Sequence, residues 1–272
     1  MIMKIDLHIH TSASDGTWSP EALIRNVTHA GIKIFSVTDH DTVENVAAVS
    51  DLAIDTNLIF IRGVEINTYN EGQTFHILGY NIDTENDGLN SILLRNRTFI
   101  ERKNKDSMAI LMKMGHPVSP DEYCKYKNRP ERGGWKALNY AIDKGLCQTY
   151  KGFFNLFDKE EDLFTMNVDV KPEAAISCVK QAGGIPVLAH PGSGLYGNDY
   201  EKTVSIALEM GIDGLECYHP ENSPGVTKYC LEICKKNDLY ITGGSDCHGE
   251  FVKERRLGKP DIDLSHLKIW NL

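Results

Sequence analysis

Ten histidines occur in the 272 residues, and most stand beside Asp, Gly or Pro where a short apolar run ends. The first two, His8 and His10, lie in the alternating stretch KIDLHIH at residues 4–10. Residues i and i+2 of a strand share a face. Both imidazoles therefore leave the same side, an arrangement suited to a metal ion. Other runs end in the same way. Asp15 precedes Gly16; His40 lies in Thr38-Asp39-His40-Asp41; Glu65 follows Gly63-Val64; His76 lies in the apolar stretch 74–80. His190 lies in Ala189-His190-Pro191-Gly192, His219 in Glu216-Cys217-Tyr218-His219-Pro220, and Asp246 and His248 in Gly244-Ser245-Asp246-Cys247-His248. If these runs are neighbouring strands, one mouth collects six imidazoles, two aspartates and a glutamate, with His219 beside them. Packed together without cations, several of these groups would go unpaired at roughly 1–3 kcal/mol each, and the carboxylates would repel and take up protons. Divalent ions remove both problems. Nitrogen and oxygen donors without a thiolate favour Mn, Zn or Fe. The ligands are too many for one ion, so two or three are expected.

Positioning such a set takes a regular scaffold. The pattern predicts strands over 4–10, 32–38, 58–67, 74–80, 185–189, 213–218 and 239–243. Helices are predicted over 20–30, 42–54, 172–182, 200–210 and 224–236; Ser19-Pro20 reads as a cap and first turn. Alternating strands and helices imply parallel strands with helical crossovers. The fold class is therefore α/β, as a seven-stranded barrel or a doubly wound sheet. Residues 85–168 break the rhythm. A long helix is predicted over 89–114, with Arg95, Arg97, Arg102, Lys103, Lys105 and Lys113 on its non-core face, and shorter helices follow over 119–150. The expected division is a discontinuous barrel, 1–85 and 169–272, with a helical insertion, 86–168, overhanging the loops where barrel chemistry sits.

Composition narrows the function classes. The net charge of −9 argues against coating duplex nucleic acid by bulk charge. No apolar run reaches the roughly 20 residues of a membrane span. The start of the chain carries Asp6, His8 and His10 where a signal peptide needs apolar residues, so export is not expected. Seven cysteines without a C-x-x-C pair fit buried thiols in a reduced cytoplasm.

Taken in order, Asp6-Leu7-His8-Ile9-His10-Thr11, Ser14-Asp15-Gly16, Thr38-Asp39-His40-Asp41, Gly63-Val64-Glu65-Ile66, His76-Ile77-Leu78-Gly79-Tyr80, Ala189-His190-Pro191-Gly192 and Gly244-Ser245-Asp246-Cys247-His248-Gly249 resemble the motifs of the polymerase and histidinol phosphatase (PHP) superfamily. The likeness spans about 1–85 and 170–250, and suggests the nucleotide-bisphosphatase and exoribonuclease branch. It implies a distorted (β/α)7 barrel with a trinuclear metal site. His8, His10, Glu65 and Asp246 would hold one ion; Glu65 with His76 and His190 a second; Asp15, His40 and His248 a third. It further implies hydrolysis of a phosphate monoester by a metal-bridging hydroxide, with no protein nucleophile. In keeping with this, the chain has no P-loop pattern and no G-x-S-x-G elbow. His219, in a strand-end run like that of the phosphoesterase branch, is assigned with Asp246 to the catalytic set, for phosphate contact or leaving-group protonation. Asp6 reads either as a carboxylate orienting an imidazole or as a buried structural group.

Selection of substrate is expected from the insertion. Arg129, Arg132 and Lys136 flank Gly133-Gly134-Trp135, a set suited to a second phosphate and a stacked base. Two departures from the branch touch this region: Arg129-Pro130 is followed by Glu131 rather than His, and the loop after His190 reads Gly192-Ser193-Gly194 where an arginine is common. The expected substrate is a nucleotide 3′,5′-bisphosphate or a short oligonucleotide end. The alternatives are a histidinol-phosphate-type phosphatase and a non-catalytic metal-stabilised module.

Overall fold

The computed structural model describes residues 3–54, 56–157 and 168–270. Seven strands form one sheet in chain order: β1 (Ile5–Asp6), β2 (Ile34–Val37), β3 (Ile59–Asn70), β4 (Gln73–Tyr80), β5 (Ile185–Leu188), β6 (Gly214–Tyr218) and β7 (Tyr240–Gly243). The first and last strands also meet. Leu7 N–H donates to Gly243 C=O at 3.1 Å, and Ile9 bridges Cys247 in parallel. The sheet thus closes into the distorted barrel that the motif order implies.

Alternation within the strands sorts side chains between two layers. Ile5, Leu7, Ile34, Ile61, Leu78, Tyr80, Val187 and Ala189 fill the interior, where the C-terminal Leu267, Ile269 and Trp270 pack against them. Phe35 and Val37 point outward onto Leu23 and Val27 of α1 (Pro20–His29) and Val49 of α2 (Val46–Ile54). Each fully buried side chain of this size contributes roughly 1.5–3 kcal/mol. Ser19 caps α1 by accepting from Ala22 N–H at 3.3 Å, with Pro20 in the first turn, as its sequence predicts. The outer layer continues with α7 (Pro172–Gln181), α8 (Tyr200–Glu209) and α9 (Pro224–Asn237).

One expectation about strand direction fails. β4 runs antiparallel to both β3 and β5, while the other pairs are parallel. Only Glu71 and Gly72 separate β3 from β4, and both have positive φ, 47° and 87°. Such a pair makes a tight hairpin, whereas a parallel crossover takes a dozen or more residues. The reversal matters for chemistry. His76 lies early in β4, opposite Asn67, so it reaches the same end of the sheet as Glu65.

The helical segment begins with α3 (Asp87–Lys113), about 40 Å long at 1.5 Å per residue. Its first turns place Leu89 and Leu93 against Val64, Ile66 and Val179 of the barrel. Its last turns place Met108 and Leu111 in a separate apolar cluster with Tyr123 of α4 (Pro120–Lys125), Leu138 and Tyr140 of α5 (Lys136–Asp143) and Phe153 of α6 (Tyr150–Asn155). The far end of the predicted insertion, 158–167, lies outside the described residues. The loop before α5 docks on the barrel at Gly133 and Gly134, both at positive φ. A Cβ at either would collide with the Phe251 ring. Gly134 N–H donates to Asp15 C=O at 2.7 Å, tying this loop to a candidate ligand loop.

Candidate metal centre

The expected nine residues converge at one end of the barrel, around a single carboxylate. Glu65, 1% exposed, faces five imidazoles. Its Oε1 lies 2.9 Å from His76 Nδ1 and 3.0 Å from His190 Nε2. Its Oε2 lies 3.1 Å from His8 Nε2 and 3.3 Å from both His10 Nε2 and His40 Nδ1. Asp246 Oδ1 lies 3.0 Å from His10 Nε2. On the other side, Asp15 Oδ2 lies 3.3 Å from His248 Nε2. Candidate ligand atoms fall within 4.8 Å of one another in the groups His8/His10/Glu65/Asp246, His10/Asp15/His40/His248 and His40/Glu65/His76.

Local backbone sets these positions. β1 ends at Asp6, so His8 and His10 stand just beyond it where the chain crosses β7. Gly244 permits this crossing, because a Cβ there would overlap the Cβ and amide nitrogen of His8. His190 and Asp246 have φ of 29° and 51°, a left-handed turn that non-glycine residues seldom adopt. That turn swings each side chain off its strand into the mouth.

A further set of buried groups orients the ligands. His8 Nδ1–H donates to Glu216 Oε1 at 2.9 Å, leaving the Nε2 lone pair for the centre. Glu216 Oε2 accepts His190 N–H at 2.7 Å. His248 Nδ1–H donates to Asp246 C=O at 2.7 Å, which turns its Nε2 to Asp15. Glu216 therefore takes the orienting role that the sequence offered to Asp6. Asp6 instead accepts backbone N–H groups of His8, Ser245 and Gly258 at 3.3, 2.9 and 2.7 Å, and is a structural group. Nothing in the sequence distinguishes Glu216 from a chance acid at a strand position, apart from its place in the run ending at His219.

The electrostatics suit cations. Burial would raise the carboxyl of Glu65, but the neighbouring imidazoles, the cationic His8 and the hydrogen-bonded His10 among them, hold it well below the usual range. Burial likewise opposes ionisation of Asp246, and His8 and Arg255 overcome it. Burial pushes His40 down to about 3, so it is a neutral donor. Burial would also lower His10, yet the carboxylates of Asp246, Glu65 and Asp15 around it lift it to about 10. A proton is thus drawn to a place where the carboxylates favour positive charge. Among the described residues, eight buried side-chain nitrogen or oxygen atoms lack a hydrogen-bond partner; four are His10 Nδ1, His40 Nδ1, His190 Nδ1 and Asp246 Oδ1. Unpartnered buried donors concentrated in one cluster fit residues built to hold metal ions.

His219 adjoins the centre. Its Nδ1 accepts Glu221 N–H at 3.1 Å, so its proton stands on Nε2, 3.2 Å from Asp246 Oδ2. His29 and His266 are exposed and take no part.

A cavity of about 640 Å³ opens onto the Asp15, His40 and His76 side. Trp135, Phe154 and Leu195 give it apolar walls, and Lys136 and Arg97 give it cations. Trp135 and Lys136 thus reach the cavity as the sequence suggested. Arg129 and Arg132 do not line it. Arg129 is exposed, and Arg132 pairs with Asp143 at 2.8 Å beside a second cavity. The turn at Gly133 and Gly134 separates the two arginines from Lys136 and sends them to a different face. Arg97 takes a place on the wall that the sequence reading left in the basic face of α3. Asn96 and Asn104, polar and buried on the same helix, are the trace of that polar surface. Asn96 Nδ2 donates to Asp41 at 2.7 Å, and burial lifts this aspartate to about 7 despite the hydrogen bond.

Comparison with known proteins agrees with this geometry. The PHP domain signature matches residues 6–170. The phosphoribosyl 1,2-cyclic phosphate 1,2-diphosphodiesterase of Eggerthella lenta is 25% identical over 93% of this chain and 97% of its own. The 5′-3′ exoribonuclease Rnm of Escherichia coli is 28% identical, over 89% and 84%. The 3′,5′-nucleoside bisphosphate phosphatase of Chromobacterium violaceum is 25% identical, over 94% and 90%. A crystal structure from Bifidobacterium adolescentis, assigned as a metal-dependent phosphoesterase, superposes with a TM-score of 0.82 at 25% identity, over 97% and 93%. No helix among the described residues is long and apolar enough to cross a membrane. With its closed seven-stranded barrel and its ring of imidazoles around Glu65, this chain belongs to the PHP domain family.

Proposed function

We propose that the mouth of the barrel holds two or three divalent ions, of Mn, Zn or Fe, and that the enzyme removes a phosphate from a nucleotide, either a 3′,5′-bisphosphate or a short oligonucleotide end. The chain is a phosphoesterase. The observation that carries the metal reading is the convergence of candidate ligand atoms of His8, His10, Glu65 and Asp246, and of His40, Glu65 and His76, within 4.8 Å of one another. His8, His10, Glu65 and Asp246 would hold one ion, Glu65 with His76 and His190 a second, and Asp15, His40 and His248 a third. Such ions supply Lewis-acid charge against phosphate oxygens and make water acidic near neutral pH.

The chain's own groups do the rest. His219 presents its Nε2 proton beside Asp246, where a phosphate or leaving oxygen can accept it. Lys136 and Arg97 flank the cavity for a second phosphate, and Trp135 with Phe154 offers an apolar face to a base or ribose. Residues 86–168 serve as the cap that carries this wall. Names of the relatives support a ribose-linked phosphate: a phosphoribosyl compound, RNA and a nucleoside bisphosphate. The histidinol-phosphate alternative needs an anion for the substrate amine. Glu101 is the acid on the cap side of the wall, and Lys136 already engages it at 3.7 Å. That balance favours the nucleotide.

The test is metal analysis of gently purified protein together with a screen of phosphorylated nucleotides in Mn. At least two equivalents of transition metal and turnover of a bisphosphate are expected. Less than one equivalent, with no activity restored by added Mn, would reject the proposal.

A further inference from the structure

Among the described residues, Arg255 is the one lysine or arginine whose side chain bonds to a member of the nine-residue cluster. Its Nη1 pairs with Asp246 Oδ2, and its Nη2 pairs with Glu221 Oε1 at 2.9 Å. Asp246 Oδ2 is also the atom facing His219 Nε2, and the Glu221 amide is the donor to His219 Nδ1. Arg255, Asp246, His219 and Glu221 therefore form a closed ring of contacts. Asp246 Oδ2 is committed to this ring, while Oδ1 alone faces His10.

The guanidinium is not sealed in. Its side chain is 25% exposed, and it lines a second cavity of about 850 Å³ between the barrel loops 220–221 and 250–255 and the insertion around α5 and α6. This cavity is distinct from the one walled by Trp135; the two share no lining residue. Tyr150 and Phe251, with ring centroids 6.2 Å apart, and Lys151 also line it.

We propose that Arg255 is an anion-binding residue of the active site, which contacts a substrate phosphate from the side of this second cavity. The inference rests on the phosphoesterase reading. Three physical points carry it. A guanidinium stays charged whatever is bound beside it, and it has five N–H donors, so two carboxylate contacts leave others for phosphate oxygens. It stands at the same carboxylate oxygen as the His219 proton, so an anion reaching one can reach the other. Its open face looks into space large enough for the remainder of a nucleotide.

The experiment uses the metal-loaded enzyme and the variants Arg255→Met and Arg255→Lys. Inorganic phosphate is the probe, titrated calorimetrically and as a competitive inhibitor, with metal content and melting temperature measured alongside. A charge-assisted contact predicts phosphate binding weaker by about 10- to 100-fold in Arg255→Met, partly restored in Arg255→Lys, with metal content unchanged. KM for a bisphosphate should rise more than kcat falls. Unchanged phosphate affinity in Arg255→Met overturns the proposal. So does loss of metal in parallel with loss of phosphate binding in both variants, which would make Arg255 a positioning group for Asp246. Failure of the phosphoesterase reading is distinguishable: the wild type would then turn over no phosphate ester, whatever the phosphate titration shows.

Discussion

The two walls of the mouth are built differently. On the barrel side, charged groups are buried and held by at least two neighbours. Glu65 faces five imidazoles, and Glu216 holds both His8 and the amide of His190. On the helical side the cations are partly exposed: Lys136, on the wall itself, answers Glu101, and away from the wall Arg132 answers Asp143 and Lys144 answers Glu122. Exposed pairs of this kind contribute about 0–1 kcal/mol each. The barrel wall is therefore a preorganised site whose members depend on one another.

This contrast can be broken by experiment, beginning with the barrel. Replacing Asp15, His40 or His248 by Ala should lower kcat by about 10³-fold or more, since an ion's Lewis acidity supplies several kcal/mol. The melting temperature of the metal-free protein should move little. Unfolding at the same rate as activity loss would make the cluster structural. Next, Glu216→Gln should weaken metal binding by about 10- to 100-fold, because the carboxylate that orients His8 is lost. Equilibrium dialysis against Mn reads this directly, and retained affinity would show that Glu216 only supports the strand. On the helical side, Arg97→Met and Lys136→Met should each raise KM for a bisphosphate by roughly 10-fold, a charge-assisted contact's worth, with kcat for a simple monoester kept. The smallest effect is expected for Arg129→Ala and Arg132→Ala, within about 2-fold, since substitutions at exposed or paired surface cations cost little. A large selective rise in KM there would place the substrate across the Gly133 turn and redraw the helical wall.

The same contrast governs what could be read from the sequence. His8, His10, His40, His190 and His248 are legible because each stands where a short apolar run ends, and parallel strands carry such ends to one side; His76, early in β4, reaches the same side because that strand is reversed. Glu216 and Arg255 are not. Glu216 looks like an ordinary strand residue, and Arg255 sits in the charged run Lys253-Glu254-Arg255-Arg256, which reads as solvated surface. The reversal of β4 rests on the two-residue turn Glu71-Gly72, a local signal that the βαβ pattern on either side of it does not carry.

The seven strands, the residues that end them and the presence of a helical segment after β4 follow from local patterns, since apolar periodicity, caps and turn residues act over a few positions; the closure of the strands into a barrel is what the motif resemblance implies. Which cation of the helical segment meets the mouth was settled elsewhere. It depends on the packing of α3 against two separate apolar clusters and on the docking of Gly133 and Gly134 under Phe251. The contacts of Gly133 and Gly134 with Phe251 join residues more than a hundred positions apart, and only the folded chain brings them together.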